Sequence, residues 1–234
     1  MGDPIHQHLA IAGAAYRRFA DRVRDVDPAR PTRLAGWSVG DLTEHVAWAA
    51  AMESAAIGVA SGSPANEVSG HGIDAAVAAF ERIVDRPVGA DVSVTVPAGT
   101  VPAPFAAALF AFEAALHASD LEHAVGGDPS LRPEEVEACA VVMGPMLDLL
   151  GTQIPGDDVT IDLIGIGDGI RLVADRRNRT WRRDIPDATA ADTTIAGRAE
   201  DLVLFLCGRT DASSVRVDGD RDLADRFKNY FPGP

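Results

Sequence analysis

The sequence predicts a four-helix bundle over residues 1–152, followed by a small α+β domain over residues 156–234. Four segments of the first part combine helix-start signals with helix-length apolar patterns, whereas the second part consists of short alternating segments between glycine-containing turns. A long connection separates the second of these helices from the third. The bundle is therefore predicted to contain a crossover between helices two and three instead of a simple up-and-down arrangement.

The predicted helices begin at recognisable residues. Asp3-Pro4 provides an N-cap followed by proline at the first helical position, and Ser38 with Asp41 forms a pattern similar to a capping box at the start of the second helix. Three of the predicted bundle helices cover residues 4–25, 105–125 and 133–150, and the remaining one, the second in the chain, begins at residue 38. A short helix near 74–85 is predicted inside the crossover, which covers residues 61–103.

The segment after Gly151 carries a different pattern. A turn cluster at residues 155–158 precedes alternating apolar residues, which indicates strands more than helices. The predicted elements are strands at 159–166, 170–174, 181–185 and 215–217, and helices at 199–206 and 222–230.

Composition and charge narrow the class of protein. Apolar residues make up 47%, enough for a sizeable core, and the formal net charge of −14 disfavours nucleic acid and anionic membranes as partners. Cys139 and Cys207 form no CxxC pair, so neither a disulfide framework nor a thiolate zinc site is indicated. The N-terminus lacks a signal-peptide pattern and no segment reaches about 18 consecutive apolar residues, so we expect a cytoplasmic protein.

A carboxylate and an imidazole stand on one face of the predicted third helix. Glu113 and His117 are four residues apart, and Leu109 and Leu121 continue the same stripe, which turns that face toward the bundle interior. Buried polar groups of this kind are costly unless they are paired, and a metal ion would pair both.

His45 is the third candidate ligand. It lies two turns after Ser38, on the stripe that Leu42 and Ala49 share. Two histidines and one carboxylate leave coordination positions free for water or substrate, and this donor set suits Zn²⁺, Fe²⁺, Ni²⁺ or Mn²⁺. The same pattern also fits a Glu113 that pairs with a buried arginine, a His117 that is an ordinary core histidine and a His45 that is an ordinary helix residue.

Two segments resemble signatures of a known family. Residues 34–45, LAGWSVGDLTEH, are similar to the L-x-G-W-[ST]-V-x-D-L-x-x-H signature of the mycothiol-dependent maleylpyruvate isomerase family, and residues 113–121, EAALHASDL, are similar to its E-x-x-x-H-x-x-D-L signature. That family belongs to the DinB-like metal-binding four-helix bundles. Residues 195–209 and 217–220 resemble its sterol-carrier-like C-terminal domain.

The resemblance implies a metal, a thiol and a reaction. It implies His45, Glu113 and His117 as ligands of a divalent metal, with zinc the usual expectation, and mycothiol as a low-molecular-weight thiol cofactor that binds at the open metal position. In an isomerase, addition of the thiolate to an activated double bond permits rotation, and elimination restores the double bond. Arg209 is the expected counterpart of an arginine near the metal, where it would hold a substrate carboxylate.

Two features stay open at this point. Asp120 fits either a carboxylate that orients a ligand histidine or an exposed helix residue. The basic segment 176–183 fits either the solvated face of a hairpin or a surface that receives an anion.

We therefore expect a metal- and mycothiol-dependent enzyme, an isomerase or thiol transferase, that is a monomer or homodimer. Its partner is predicted to be a small electrophilic, anionic substrate. The alternatives are a non-catalytic metal-binding sensor or small-ligand carrier, and a metal-independent thiol transferase that keeps the fold with a vacant site.

Overall fold

The structure is a computed structural model, and the chain divides in it into two compact units, Met1–Cys139 and Ala140–Pro234. The predicted fold class is confirmed, since helices dominate the first unit and a sheet with helices forms the second. The described residues are 3–62, 71–97, 99–128, 130–151, 159–165, 171–177, 180–182 and 191–231.

The first unit contains three of the four predicted bundle helices, the predicted crossover and the start of the fourth helix. The short crossover helix is present, and the alternating segment after it forms one strand of a two-stranded antiparallel hairpin. The elements are α1 (Pro4–Val23), α2 (Val39–Ala60), α3 (Ile73–Glu81), β1 (Ser93–Val96), β2 (Gly99–Pro102), α4 (Ala103–Ala124) and α5 (Pro133–Gly151), which continues into the second unit.

Helix α4 forms the centre of the bundle core. Most of its residues are buried, and many are alanines, whose small side chains let neighbouring helices approach closely. Helix α1 contributes the fully buried Tyr16 and Phe19, and Phe80 of α3 packs edge-on against the Tyr16 ring with centroids 5.3 Å apart. Burial of each large apolar side chain contributes roughly 1.5–3 kcal/mol, so this core holds α4 firmly in place.

The second unit is built around a five-stranded sheet of order β5-β4-β3-β6-β7. The central strand β3 pairs antiparallel with β4 and parallel with β6, where Leu163 lies opposite Ile195 and both are fully buried. The elements are β3 (Val159–Gly165), β4 (Arg171–Arg177), β5 (Thr180–Arg182), β6 (Thr193–Gly197), α6 (Ala199–Leu206), β7 (Arg216–Gly219), α7 (Arg221–Asp225) and α8 (Phe227–Tyr230).

Two details of the second unit differ from the prediction. Strand β6 was not predicted, because its pairing partners β3 and β7 are distant in sequence and Ile195 is its only large apolar residue. The single predicted helix at 222–230 is wrong: it is divided at Arg226, which leaves the helical conformation with ψ at 11°.

Two other sequence-based expectations concern the whole chain. The predicted domain division at residues 152–156 falls outside the described residues and stays a prediction. Among the described residues, none of the helices combines the length and the apolar character needed to cross a membrane.

Candidate functional site

The start of α2 positions the first candidate ligand. The predicted capping box is confirmed: the Asp41 backbone N–H donates to Ser38 Oγ at 3.2 Å, and the Ser38 backbone N–H donates to Asp41 Oδ2 at 2.8 Å. These two hydrogen bonds fix the first turn of α2. The direction of the His45 side chain, two turns later on the same helix, is therefore defined as well. The His45 side chain is half-buried, with 28% of its surface exposed.

Helix α4 supplies the other two candidate ligands from one face. Glu113 and His117 are one helical turn apart, and His117 Nε2 lies 3.2 Å from Glu113 Oε1. Leu121 on the same stripe is fully buried and Leu109 is partly buried, so the face is directed inward as predicted. His117 is 8% exposed and Glu113 is 24% exposed, which leaves the carboxylate within reach of solvent.

The three side chains converge into one cluster. His45 Nε2 lies 2.7 Å from Glu113 Oε1, and the two imidazole rings meet edge-on with centroids 4.8 Å apart. One ligand atom from each of His45, Glu113 and His117 lies within 4.8 Å of the other two. The structure thus brings together the residues that the sequence singled out, and their role as metal ligands remains a prediction.

A buried ion pair holds the far side of the His117 ring. His117 Nδ1 lies 3.0 Å from Asp120 Oδ2, and the Arg33 Nε–H donates to Asp120 Oδ1 at 2.7 Å. Arg33 also donates to the Ser119 hydroxyl at 3.2 Å. Because Asp120 engages Nδ1, the other nitrogen, Nε2, is the one directed at the cluster. Of the two interpretations of Asp120, the orienting carboxylate is the one that agrees with its complete burial.

Trp37 packs on both histidines. Its ring lies edge-on to His45 with centroids 5.1 Å apart and nearly parallel to His117 with centroids 6.4 Å apart. The Trp37 carbonyl accepts hydrogen bonds from both the backbone N–H and the hydroxyl of Thr32, each at 2.9 Å. The preceding Gly36 has a φ of 80°, which a residue with a Cβ adopts only with strain. This loop therefore holds the indole against the cluster.

The charges within the cluster favour a paired carboxylate and imidazolium. Burial raises the pKa of Glu113, but hydrogen bonds and charge attraction from His117 and His45 outweigh burial and hold it well below its usual value. Burial lowers the pKa of His117, but Asp120 and Glu113 outweigh it and raise the pKa to about 9. A metal ion that binds here would take the position of the proton on Nε2.

The donor chemistry fits a divalent metal. Two imidazole nitrogens and a carboxylate oxygen are the ligand types of three-residue catalytic zinc sites and of related Fe²⁺, Ni²⁺ and Mn²⁺ sites. The Nδ1 contact of His117 with Asp120 matches the hydrogen bond that ligand histidines usually make through their second nitrogen. The residues present therefore fit the metal that the sequence implies, without selecting among these ions.

A second buried carboxyl group lies near the cluster. Glu53 of α2 is 2% exposed and accepts a hydrogen bond from the Tyr16 hydroxyl at 2.6 Å. Burial raises the pKa of Glu53 well above its usual value; the Tyr16 hydrogen bond opposes this rise and the negative charge of Glu113 adds to it. Burial likewise raises the pKa of Tyr16, helped by the charges of Glu53 and Glu113.

A cleft of about 220 Å³ opens between α2, the β1–β2 hairpin and α4. We call it the apolar cleft, because most of its lining is hydrocarbon or aromatic. The two carboxyl groups of Glu53 and Glu113 also line it. Its larger apolar lining residues are Trp48, Met52, Val96, Pro97, Leu109 and Phe110.

Several residues of the site were missed at the sequence level. Glu53 had a usable signal, since it is a carboxylate on the apolar stripe that Ala49 and Ile57 also occupy. Arg33 and Trp37 had weaker signals, because they lie in the loop before α2, where no periodicity indicates which side chains turn inward.

The remaining candidates lie in the second unit. The Arg209 guanidinium donates from Nη1 to the Cys207 carbonyl at 2.8 Å, and its predicted role toward a substrate stays a prediction. The side chains of the basic segment 176–183 lie outside the described part of the chain. Cys139 and Cys207 are both buried, as expected for small core residues.

The N-terminal part of the chain matches a protein-family model. The family model described as "Mycothiol maleylpyruvate isomerase N-terminal domain" matches residues 9–79, a range that includes His45 but ends before Glu113 and His117. Two uncharacterized proteins of Mycobacterium tuberculosis, MT0763 of strain CDC 1551 and Rv0738 of strain H37Rv, are also similar. Each is 31% identical over 156 residues, which covers 61% of this chain and 81% of the relative.

Comparison with solved structures extends the likeness to both units. The crystal structure of the mycothiol-dependent maleylpyruvate isomerase matches with a TM-score of 0.61 at 17% identity, over 93% of this chain and 96% of that chain. A histidine-to-alanine mutant of that isomerase matches with a TM-score of 0.60 over the same shares. At this level of identity the likeness shows a shared fold.

Proposed function

This chain belongs to the mycothiol-dependent maleylpyruvate isomerase family, and we propose that it is a metal-dependent enzyme that uses mycothiol to act on a small electrophilic substrate. The observation that carries the proposal is the convergence of His45 Nε2, Glu113 Oε1 and His117 Nε2 in one cluster. The reaction is an isomerisation or a thiol transfer.

His45, Glu113 and His117 would hold the metal, which from the resemblance is zinc. When bound, the metal would supply a positive charge that lowers the pKa of a nearby thiol and makes its sulfur a stronger nucleophile. Asp120 and Arg33 orient His117 from behind, and Trp37 limits the movement of both imidazole rings. The partial exposure of Glu113 and His45 leaves an approach for the thiol and the substrate.

The apolar cleft favours an enzyme over the alternative of a non-catalytic metal sensor. A closed metal site with no adjoining cavity would suit a structural or sensing role, whereas Glu113 borders both the cluster and the cleft. Concave sites of mixed apolar and polar lining are the usual position for a small substrate. The sterol-carrier-like character of the second unit and the role of Arg209 remain parts of the proposal that rest on the resemblance.

Binding of the thiol to a metal-loaded protein tests the proposal. Cobalt(II) replaces zinc in the full-length chain, and mycothiol is then added while near-ultraviolet absorption is recorded. We expect a sulfur-to-cobalt charge-transfer band, because thiolate ligation of cobalt produces one. The matched controls are His117→Ala, which should lose the band, and His123→Ala on the exposed side of the same helix, which should keep it. Cobalt binding without any band on addition of mycothiol would contradict thiol dependence.

A further inference from the structure

The apolar cleft borders the candidate metal cluster. Glu113 belongs to both, and the Trp48 ring, which lines the cleft, packs at a tilt on His45 with centroids 5.9 Å apart. A molecule in the cleft would therefore lie beside the atoms that converge on the metal position. Trp48 is 55% exposed, although tryptophan side chains are usually largely buried. Its ring is therefore accessible to a molecule that binds at this edge of the cleft.

The charges of the cleft lining exclude one class of ligand group. Among the described residues that line it, none is a lysine, arginine or histidine, and the only ionisable groups are the carboxyls of Glu53 and Glu113. A carboxylate or phosphate placed against this lining would lose part of its water shell, and no lysine, arginine or histidine of the lining would pair with it. The expectation of an anionic substrate therefore finds no support on this wall of the site.

The size and surface of the cleft indicate what it would accept. Its volume of about 220 Å³ exceeds that of a cavity of roughly 150 Å³ known to hold benzene in another protein. The lining combines aromatic rings from Trp48 and Phe110 with the flexible thioether of Met52, which adapts to irregular apolar shapes. Glu53 and its Tyr16 partner add a hydrogen-bonding group at the wall.

We propose that the apolar cleft binds an uncharged apolar group of the substrate, of the size of a benzene ring or a short branched chain, next to the metal cluster. This inference rests on the proposed function, because the cleft becomes a substrate site only if the cluster is the reactive centre. Leu109, Trp48 and Phe110 then determine specificity by shape, and the mostly apolar lining disfavours a charged group in the cleft. The substrate is accordingly an electrophile with a hydrophobic portion.

A matched pair of fluorinated probes tests the inference without requiring any reaction. Para-fluorobenzyl alcohol is uncharged, whereas para-fluorobenzenesulfonate is an anion of similar size that coordinates metals weakly. Binding of each to the full-length protein as purified is followed by ligand-observed fluorine NMR. We expect the alcohol to bind and the sulfonate to bind at least about tenfold more weakly, a difference of about 1.4 kcal/mol.

Three variants locate the binding. Leu109→Trp fills much of the cleft and should weaken binding of the alcohol by about tenfold or more. Trp48→Ala removes an exposed part of the wall, which the fold tolerates, and should also weaken it. Val59→Trp places the same bulk on an exposed part of α2 outside the cleft and should leave binding unchanged.

Two results would overturn the inference: sulfonate binding that equals or exceeds that of the alcohol, or alcohol binding that persists in both Leu109→Trp and Trp48→Ala. Zinc content is measured on the same samples. Probe binding needs neither metal nor thiol. A protein that takes up no zinc even when zinc is offered, but whose cleft still prefers the alcohol, would therefore contradict the proposed function while leaving the binding preference intact. A metal-loaded protein with no preference for the alcohol would contradict the binding preference while leaving the proposed function intact.

Discussion

His117 depends on its neighbours for both its orientation and its charge. One ring nitrogen is engaged by Asp120 and the other faces Glu113 and His45, so the ring is fixed on two sides before any metal arrives. Arg33 in turn fixes Asp120 in a position with no exposure to water. Orientation of a ligand in advance lowers the entropy cost of metal binding.

Removal of the Asp120 charge should weaken metal binding. In Asp120→Asn, we expect the affinity for zinc to fall by about 10–100-fold, because the His117 ring loses the partner that orients it. A competition titration with a chromophoric chelator measures this affinity. Glu122→Gln removes a negative charge from the partly exposed surface of the same helix and should leave the affinity unchanged. An equal loss of zinc affinity in the two variants would show that the loss comes from the change in overall charge and not from the orientation of His117.

Glu53 should make the stability of the wild-type protein depend on pH. Its pKa is raised on folding, so the folded state binds this proton more tightly than the unfolded state does. The stability that Glu53 contributes is therefore present below its unfolded pKa and is lost as pH rises through the folded pKa. A glutamine side chain in its place cannot lose a proton but keeps an oxygen that accepts from the Tyr16 hydroxyl.

The free energy of unfolding of Glu53→Gln, relative to that of the wild type, should accordingly increase as pH rises from acidic values through neutrality. Urea denaturation at a series of pH values measures the difference. A difference that stays constant across the series, or that decreases, would contradict the raised pKa.

The convergence of His45, Glu113 and His117 could be predicted from sequence because each residue lies on a helix whose period places its side chain. Glu113 and His117 follow from a spacing of four, and His45 follows from its distance to the Ser38 cap. Arg33 and Trp37 could not be predicted in the same way, since their loop is fixed by tertiary contacts such as the hydrogen bonds between Thr32 and the Trp37 carbonyl.

Helices with strong terminal signals were predicted well, and elements that depend on distant partners were not. Asp3 accepts a hydrogen bond from the Ile5 N–H at 3.0 Å, and Ser38 caps α2, so local chemistry alone sets both helix starts. Strand β6 has only five residues and exists because β3 and β7 pair with it on either side. A sequence window that contains β6 alone carries too little of that information.

The capping box should contribute measurable stability to α2. In Ser38→Ala, we expect the free energy of unfolding to fall by about 0.5–2 kcal/mol, because the Asp41 N–H loses its acceptor. Ser38→Thr keeps a hydroxyl and should retain most of the stability. Both values come from urea denaturation of the full-length chain. A Ser38→Thr variant as unstable as Ser38→Ala would show that the hydroxyl is not the stabilising group.

For the whole molecule, the candidate metal site links two helices that are far apart in the chain. His45 and Glu113 are 68 residues apart, so their ligand atoms come together only when the bundle is folded. A metal that binds the folded chain alone stabilises it in proportion to the logarithm of its concentration over the dissociation constant. Metal content and stability should therefore change together.

Removal of metal should lower the thermal stability of the protein. Treatment with a chelator should reduce the midpoint of thermal unfolding, and zinc at about 100 times its dissociation constant should restore about 2.7 kcal/mol. Differential scanning calorimetry measures both steps. His117→Ala should show neither response, and a wild-type midpoint that is insensitive to chelator and to zinc would contradict the coupling.

The most direct test of the account is the metal content of the protein purified without a chelating tag and without added metal. Elemental mass spectrometry of wild type, His117→Ala and His123→Ala should show about one equivalent of a divalent metal in the wild type and in His123→Ala. His117→Ala should contain almost none. Little metal in the wild type even after zinc is offered, or a full equivalent in His117→Ala, would contradict the assignment of His45, Glu113 and His117 as one metal site.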